Sequence, residues 1–226
     1  MTQIKETILG IQKELSEGVR LVAVSKTHPV ELIREAYDCG VRDFGENKVQ
    51  EVCAKQPQLP PDIRWHLIGH LQSNKVKYIA SFVYMIHSVD SDKLLAVIDK
   101  EAAKVGKVVR CLLQVHVAQE ETKFGFTLGE LEEYFDSGVW RNYGNVKICG
   151  LMAMASNTTD ESQVKSEFNS VHALFEKVKL KHFADADDFE CLSMGMSGDY
   201  RIAVDCGATI VRVGSKIFGQ RDYSKK

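Results

Sequence analysis

The sequence predicts an α/β fold, a single (β/α)8 barrel of TIM type spanning residues 1–226. Two observations carry this reading. Short apolar runs alternate with amphipathic stretches from one end of the chain to the other, about eight times, the number of units that closes a barrel. The apolar runs are nearly continuous in branched residues, as strands covered on both faces by helix and core should be. The competing arrangement is a doubly wound open sheet. It is disfavoured because no G-x-G-x-x-G follows the first strand.

The opening "MTQIKETILGIQKELSEG" has an amphipathic helical pattern, and residues 21–24 form the first strand. In "PVELIREAYDCG", Pro29 stands where a helix starts, Leu32, Ile33, Ala36 and Tyr37 share one side, and Gly40 is a stop. "VRDFGEN" leads into "KVQEVCAK", and "IRWHLIGH" into "LQSNKVKYIA", each read as strand followed by helix. "FVYMIHSVDS" precedes "DKLLAVIDKEAAKVG", whose Leu94, Leu95, Ile98, Ala102 and Val105 keep a helical period up to the cap residue Gly106. "VVRCLLQVHVA" is the clearest strand of all. "VKICGLMAMAS" precedes a long helix with Val164, Phe168, Val171, Leu174 and Val178; "FECLSMG" precedes "SGDYRIAVDCG", and "TIVRVGS" precedes "KIFG". "AQEETKFGFTLGE" and "SGVWRNYGN" read as loop elaborations rather than domain boundaries.

Composition excludes several classes. Lys and Arg number 29 against 31 Asp and Glu, with no basic stripe interleaved with aromatics, so nucleic acid is not an expected partner. No secretion signal opens the chain and no run is long and apolar enough to span a bilayer, so the expectation is a cytoplasmic protein without a membrane partner. No exposed apolar helix face stands out, which favours a monomer. The six cysteines are scattered without C-x-x-C spacing and read as reduced core thiols. His66 and His70 are four apart, but on a strand and its exit that spacing does not put them on one face, so no metal site is expected.

In a barrel the residues closing each strand converge on one mouth. Those residues are Lys26 on the first strand, Glu46 and Asn47 on the second, Gly69 and His70 on the third, His87 and Ser88 on the fourth, and Met152 on the sixth. A lysine held in a partly apolar mouth loses hydration, its pKa falls, and the neutral amine can attack an aldehyde to form a Schiff base. "MSGDY" supplies Ser197 and Gly198, and "RVGSKIFG" supplies Gly214 and Ser215, the kind of close-approach backbone and hydroxyl groups that hold a phosphate after the seventh and eighth strands. These features fit two ligands equally, a sugar phosphate or pyridoxal 5′-phosphate. Arg212 leans toward the second: it shares a face with Ile210 and Gly214, and from the barrel interior its guanidinium could meet a pyridine nitrogen. The competing role for Arg212 is an ion pair with a barrel acid.

The combination "AVSKTHP", "DFGEN", "WHLIGHLQSNK", "HSVD", "EETKFG", "GLMA" and "LSMGMSGDYRIAVDCGATIVRVGSKIFG" resembles the pyridoxal-phosphate homeostasis proteins, the YggS/PROSC family, over essentially the whole chain. The resemblance implies a barrel similar to the N-terminal domain of alanine racemase, without that enzyme's C-terminal β-domain. It implies pyridoxal 5′-phosphate as cofactor, held as an internal aldimine on Lys26, with Asn47 near the ring, Arg212 facing the ring nitrogen, and Ser197, Gly214 and Ser215 on the phosphate. His116 departs from the pattern, standing where many members carry asparagine. The implied function is a protein that binds the cofactor, takes part in intracellular vitamin B6 homeostasis and supplies apo pyridoxal-phosphate enzymes, without robust turnover of its own. An arginine only donates, so it leaves the ring nitrogen unprotonated and the ring a poor electron sink. The chain also ends at "GQRDYSKK", soon after the last barrel element. The alternative is a weak amino-acid racemase or other Schiff-base enzyme using Lys26 with His70 or His116.

Overall fold

The computed structural model describes residues 2–118 and 124–220. Eight strands form one closed parallel barrel in sequence order: β1 (Arg20–Val24), β2 (Asp43–Glu46), β3 (Arg64–Leu67), β4 (Met85–Val89), β5 (Val109–His116), β6 (Val146–Met154), β7 (Cys191–Ser193) and β8 (Ile210–Val213). Closure is made where β8 pairs with β1, Val22 lying beside Arg212. Helix α1 (Gln3–Glu14) precedes the barrel, α2 (Val30–Asp38), α3 (Val49–Lys55), α4 (Asp92–Lys104), α5 (Leu128–Ser137), α6 (Glu161–His182) and α7 (Tyr200–Asp205) return the chain between strands, and α8 (Ser215–Phe218) follows the last strand.

Local chemistry starts these helices. Ser91 accepts from the Leu94 N–H at α4, Asp160 from the Ser162 and Gln163 N–H groups at α6, and Thr127 with Glu130 makes a reciprocal capping box at α5. The stretch "LQSNKVKYIA" departs from expectation. It forms a 3-10 helix over Ser73–Tyr78 that buries Val76, with Ile79 and Ala80 buried just beyond its end. "SGVWRNYGN" contains a 3-10 turn over Val139–Asn142, entered through left-handed Gly138. Thr127 at the end of "AQEETKFGFTLGE" caps α5; residues 119–123 of that segment lie outside the described residues, as do 221–226.

Alternation sorts the strands into two faces. Ala23, Trp65, Leu67, Leu113, Leu151, Val211 and Val213 face the helix layer and join the main core. Val22, Met85, Leu112, Cys149, Met152, Cys191 and Ile210 make a smaller cluster inside the barrel. The interior also carries buried polar groups, His66, His87, Ser193 and Arg212. Strand spacing shifts at two places, between Ile86 and Val89 and between Cys111 and Leu112 opposite Gly150. Only glycine fits at position 150: φ is +146° and an added Cβ would fall 1.8 Å from the Cys191 carbonyl oxygen.

Candidate functional site

The C-terminal ends of the strands surround a cavity of about 440 Å³, within the roughly 300–1,000 Å³ typical of small-molecule sites. Lys26, Asn47, Ser197, Arg212, Gly214 and Ser215 all line it, joined by Gly69, His70 and Gly198.

Lys26 sits two residues beyond β1, half-buried, in a loop that a buried lysine holds in place. Lys55 Nζ, on α3, donates to the Ser25 carbonyl at 2.9 Å, to Glu46 Oε1 at 2.8 Å and to Glu51 Oε1 at 2.6 Å. Glu51 Oε1 also accepts the Thr27 N–H at 2.5 Å, and Ser25 Oγ donates to Glu46 Oε1 at 2.7 Å. Thr27 takes a left-handed conformation, φ 67°, the one non-glycine residue to do so among the described residues. Lys26 is thus flanked by two residues, Ser25 and Thr27, that are tied to the same carboxylate–lysine cluster. Burial pushes the Glu46 carboxyl up to about 7, against the pull of Lys55, and its Oε2 is buried without a hydrogen bond.

Asn47 follows β2, and its side-chain amide makes no hydrogen bond among the described residues, so it is available to a ligand. Its backbone packs against Gly69, where an added Cβ would lie 2.5 Å from the Asn47 carbonyl oxygen and 2.8 Å from its Cα. Gly69→Ala is therefore expected to displace Asn47 and destabilise the protein by about 1–3 kcal/mol; urea unfolding reads the loss, and an unchanged midpoint would contradict the close approach.

Arg212 lies in the barrel interior, 3% exposed. Nη1 donates to the Ser193 carbonyl at 2.8 Å and to Ser193 Oγ at 2.6 Å, and Nη2 to the Ala153 carbonyl at 2.9 Å. Among the described residues it forms no ion pair with a carboxylate, which removes the competing role considered from sequence. Burial draws its pKa down to about 10, so the guanidinium remains charged at neutral pH. Its Nε–H makes no hydrogen bond among the described residues, leaving a charged donor in a cavity wall.

The loops after β7 and β8 meet at Ser197 and Gly214, where the Ser197 hydroxyl accepts the Gly214 N–H at 3.2 Å. Asp199 Oδ1 accepts the Met196 N–H at 2.5 Å and closes the first loop. A Cβ on Gly198 would meet nothing within 4 Å, whereas one on Gly214 would come within 3.0 Å of the Val24 carbonyl oxygen. The N–H groups of Ser197, Gly198 and Ser215 have no acceptor among the described residues. Because α7 and α8 are only 6 and 4 residues long, the anion affinity resides in these N–H and hydroxyl groups rather than in a helix dipole. Tyr200 and Arg201 bind Glu14, and Lys216 Nζ binds the Tyr200 hydroxyl at 2.7 Å, fastening both loops to α1.

Four expected mouth residues are placed differently. Glu46 ends β2 but is fully buried against Lys55 and does not line the cavity. His87 and Ser88 lie within β4 and Met152 within β6, all buried, because both strands continue beyond them. Met154, two residues on and on the same face as Met152, reaches the cavity instead. His70 does line the mouth, its Nδ1 3.0 Å from Asp90 Oδ2 and its ring stacked 3.8 Å from Phe124. His116 ends β5, its N–H donating to the Phe126 carbonyl at 2.7 Å. Gln114, which the sequence reading passed over, lines the cavity and donates to the Phe124 carbonyl at 2.7 Å; its inward position on β5 was available from alternation alone.

The donor set suits a flat, phosphorylated aldehyde: an amine, a free amide, a charged donor inside the barrel, and unpaired N–H groups beside two serine hydroxyls. Among the described residues no His/Cys/Asp/Glu group could hold a metal, and no helix is long and apolar enough to cross a membrane.

Comparison with known proteins agrees with this set. The family model of the alanine racemase N-terminal domain matches residues 1–222. A pyridoxal phosphate homeostasis protein of Aquifex aeolicus is 40% identical over 205 residues, 90% of this chain and 88% of its own. The human protein of that name is 40% identical over 220 residues, 92% of this chain and 78% of its own. The structure of PipY from Synechococcus elongatus solved with pyridoxal phosphate bound superimposes with a TM-score of 0.86 at 35% identity, covering 96% of this chain and all of the other. Alanine racemase of Clostridium difficile shares the fold at a TM-score of 0.75 and 14% identity, this chain matching 56% of its length. The chain belongs to the pyridoxal phosphate homeostasis protein family, built on the alanine racemase N-terminal barrel.

Proposed function

We propose that Lys26 is the covalent anchor of pyridoxal 5′-phosphate, with Asn47 beside the ring, Arg212 toward the ring nitrogen, and Ser197, Gly214 and Ser215 on the phosphate. The chain, residues 1–226 acting as one cofactor-binding domain, binds this cofactor and takes part in its homeostasis. The observation that carries the reading is the meeting of the Lys26 amine, the Arg212 guanidinium and the serine–glycine cradle in one cavity. When bound, the cofactor supplies an aldehyde to a primary amine and a ring that accepts electron density. The residues of the chain hold and orient it: the Lys55 cluster presents Lys26, and the guanidinium gives hydrogen bonds but accepts none. That donor-only contact weakens the ring as an electron sink and favours a carrier over an efficient racemase. Release to apo-enzymes, a monomeric state and a cytoplasmic location complete the proposal.

Titration with pyridoxal phosphate, borohydride reduction and peptide mapping test it. A phosphopyridoxyl mass concentrated on Lys26 is expected; the same mass scattered over surface lysines would overturn the assignment.

A further inference from the structure

The polar groups inside the barrel form a continuous chain that leads inward from Arg212 in the cavity wall. From the mouth inward, Arg212 Nη1 donates to Ser193 Oγ at 2.6 Å, and Ser193 Oγ lies 3.0 Å from His87 Nδ1. His87 Nε2 lies 2.8 Å from His66 Nδ1, and His66 Nε2 lies 2.9 Å from Asp43 Oδ1. Asp43 is held in turn by Arg64, whose Nε donates to Oδ1 at 2.8 Å and Nη2 to Oδ2 at 2.5 Å. Every member from Asp43 to Arg212 is buried.

The two ends dictate the direction of every bond between them. Arginine has only donors and an ionised carboxylate only acceptors. Asp43 is ionised: burial opposes this, yet hydrogen bonds from Arg64 and His66 hold its carboxyl well below the usual range. His66 must then carry its proton on Nε2 and leave Nδ1 bare. His87 donates from Nε2 to that bare nitrogen, leaves its own Nδ1 bare, and receives the Ser193 hydroxyl proton. Ser193 therefore turns lone pairs toward Arg212. Reversal would set a bare His66 nitrogen against the Asp43 carboxylate, two acceptors in a region closed to water.

We propose that Asp43, His66, His87 and Ser193 are positioning residues, a one-way hydrogen-bond chain that fixes the Arg212 guanidinium against the cofactor's ring nitrogen. The proposal rests on the pyridoxal-phosphate reading of the cavity. Desolvation lowers the pKa of both imidazoles, most strongly for His87, which favours the neutral rings that the chain requires. Asp43 opposes that lowering at His66 and the charges of Arg20 and Arg64 reinforce it there; at His87 the neighbouring His66, then Arg212 and Arg20, reinforce it. The Tyr84 ring closes the remaining side of His66 at 5.3 Å.

Two measurements test it separately from the cofactor assignment. In the cofactor-free chain of residues 1–226 with ¹⁵N-labelled histidine, both buried rings are expected as neutral Nε2–H tautomers from pH 6.5, the ordinary imidazole value, to about pH 8. A ring found as the Nδ1–H tautomer, or doubly protonated in that range, overturns the chain whatever the cavity binds. Next, His87→Asn keeps an acceptor near the Nδ1 position, and His87→Leu deletes it. His87→Leu is expected to weaken pyridoxal-phosphate binding about tenfold and to shift the absorption maximum of the bound cofactor, with His87→Asn restoring both to within about threefold of the parent. Equal behaviour of the two variants, with equal melting, overturns the positioning role. Should His87→Leu not fold, Ser193→Ala removes one acceptor from Arg212 and is expected to produce the same spectral shift; an unchanged spectrum there counts against the proposal equally. Failure of the parent protein to bind the cofactor sinks the cavity assignment, and with it the positioning role, while leaving the tautomer result standing.

Discussion

Replacing Lys26 with alanine is expected to abolish covalent capture of pyridoxal phosphate while leaving the fold intact. The reasoning is geometric. Among the described residues, Lys26 is the one lysine lining the cavity, and it sits in a half-buried loop whose backbone is held by other side chains. Truncation should shift the melting temperature by no more than about 2–4 °C, as for a surface change of under 1 kcal/mol. Cofactor absorbance retained after desalting and the borohydride-fixed mass should both disappear. Lys26→Arg separates two contributions, since it keeps the positive charge near the cradle but offers no primary amine. That variant is expected to retain weak, reversible binding through Arg212 and the serine–glycine loops. Full retention of absorbance by Lys26→Ala would show that the anchor lies elsewhere.

Lys26, Ser197, Gly214 and Ser215 were legible in the sequence because each stands where an apolar run stops, and a barrel gathers such stops at one mouth. Arg212 was legible through alternation with Ile210 and Gly214. Strand ends were harder, because pairing and not composition decides how far a strand runs. Met152 looked terminal, yet β6 runs nine residues with a shift at Gly150 that depends on the neighbouring Cys191 backbone. The His87–Ser193 contact joins positions 106 residues apart, and no local pattern announces it. Lys55 was hidden differently: it occupies an ordinary helix position in "KVQEVCAK", and its burial follows only from the two carboxylates that fold around it.

That lysine gives the largest expected effect on stability. Lys55→Met should destabilise the protein by about 3–5 kcal/mol near pH 8, the cost of leaving a buried carboxylate without its cation. Glu46 is fully enclosed, with one oxygen already lacking a partner, so nothing else in the cluster can replace the ammonium. The pH dependence carries a definite sign. Burial raises Glu46 from 4.5 to about 7 even with Lys55 present, so the folded protein binds the proton more tightly than the unfolded chain. Stability then falls as pH rises from about the ordinary value toward the raised one, and removing Lys55 moves the upper end of that window higher. The deficit of Lys55→Met should therefore shrink at pH 5, where Glu46 is protonated in the fold. Asp43 does not obscure this comparison. Its carboxyl is held low, so its contribution is present above 3.8 and is lost only as pH falls below that. Urea midpoints at pH 5 and pH 8 check the prediction, and a deficit of equal size at both would refute it. Adding Glu46→Gln to Lys55→Met removes both charges and should recover most of the loss. The double variant keeps a folded barrel but lacks the ammonium that ties the Ser25 carbonyl to Glu51. Its cofactor affinity, measured against its recovered stability, shows how much of the capture by Lys26 depends on a loop held ready for it.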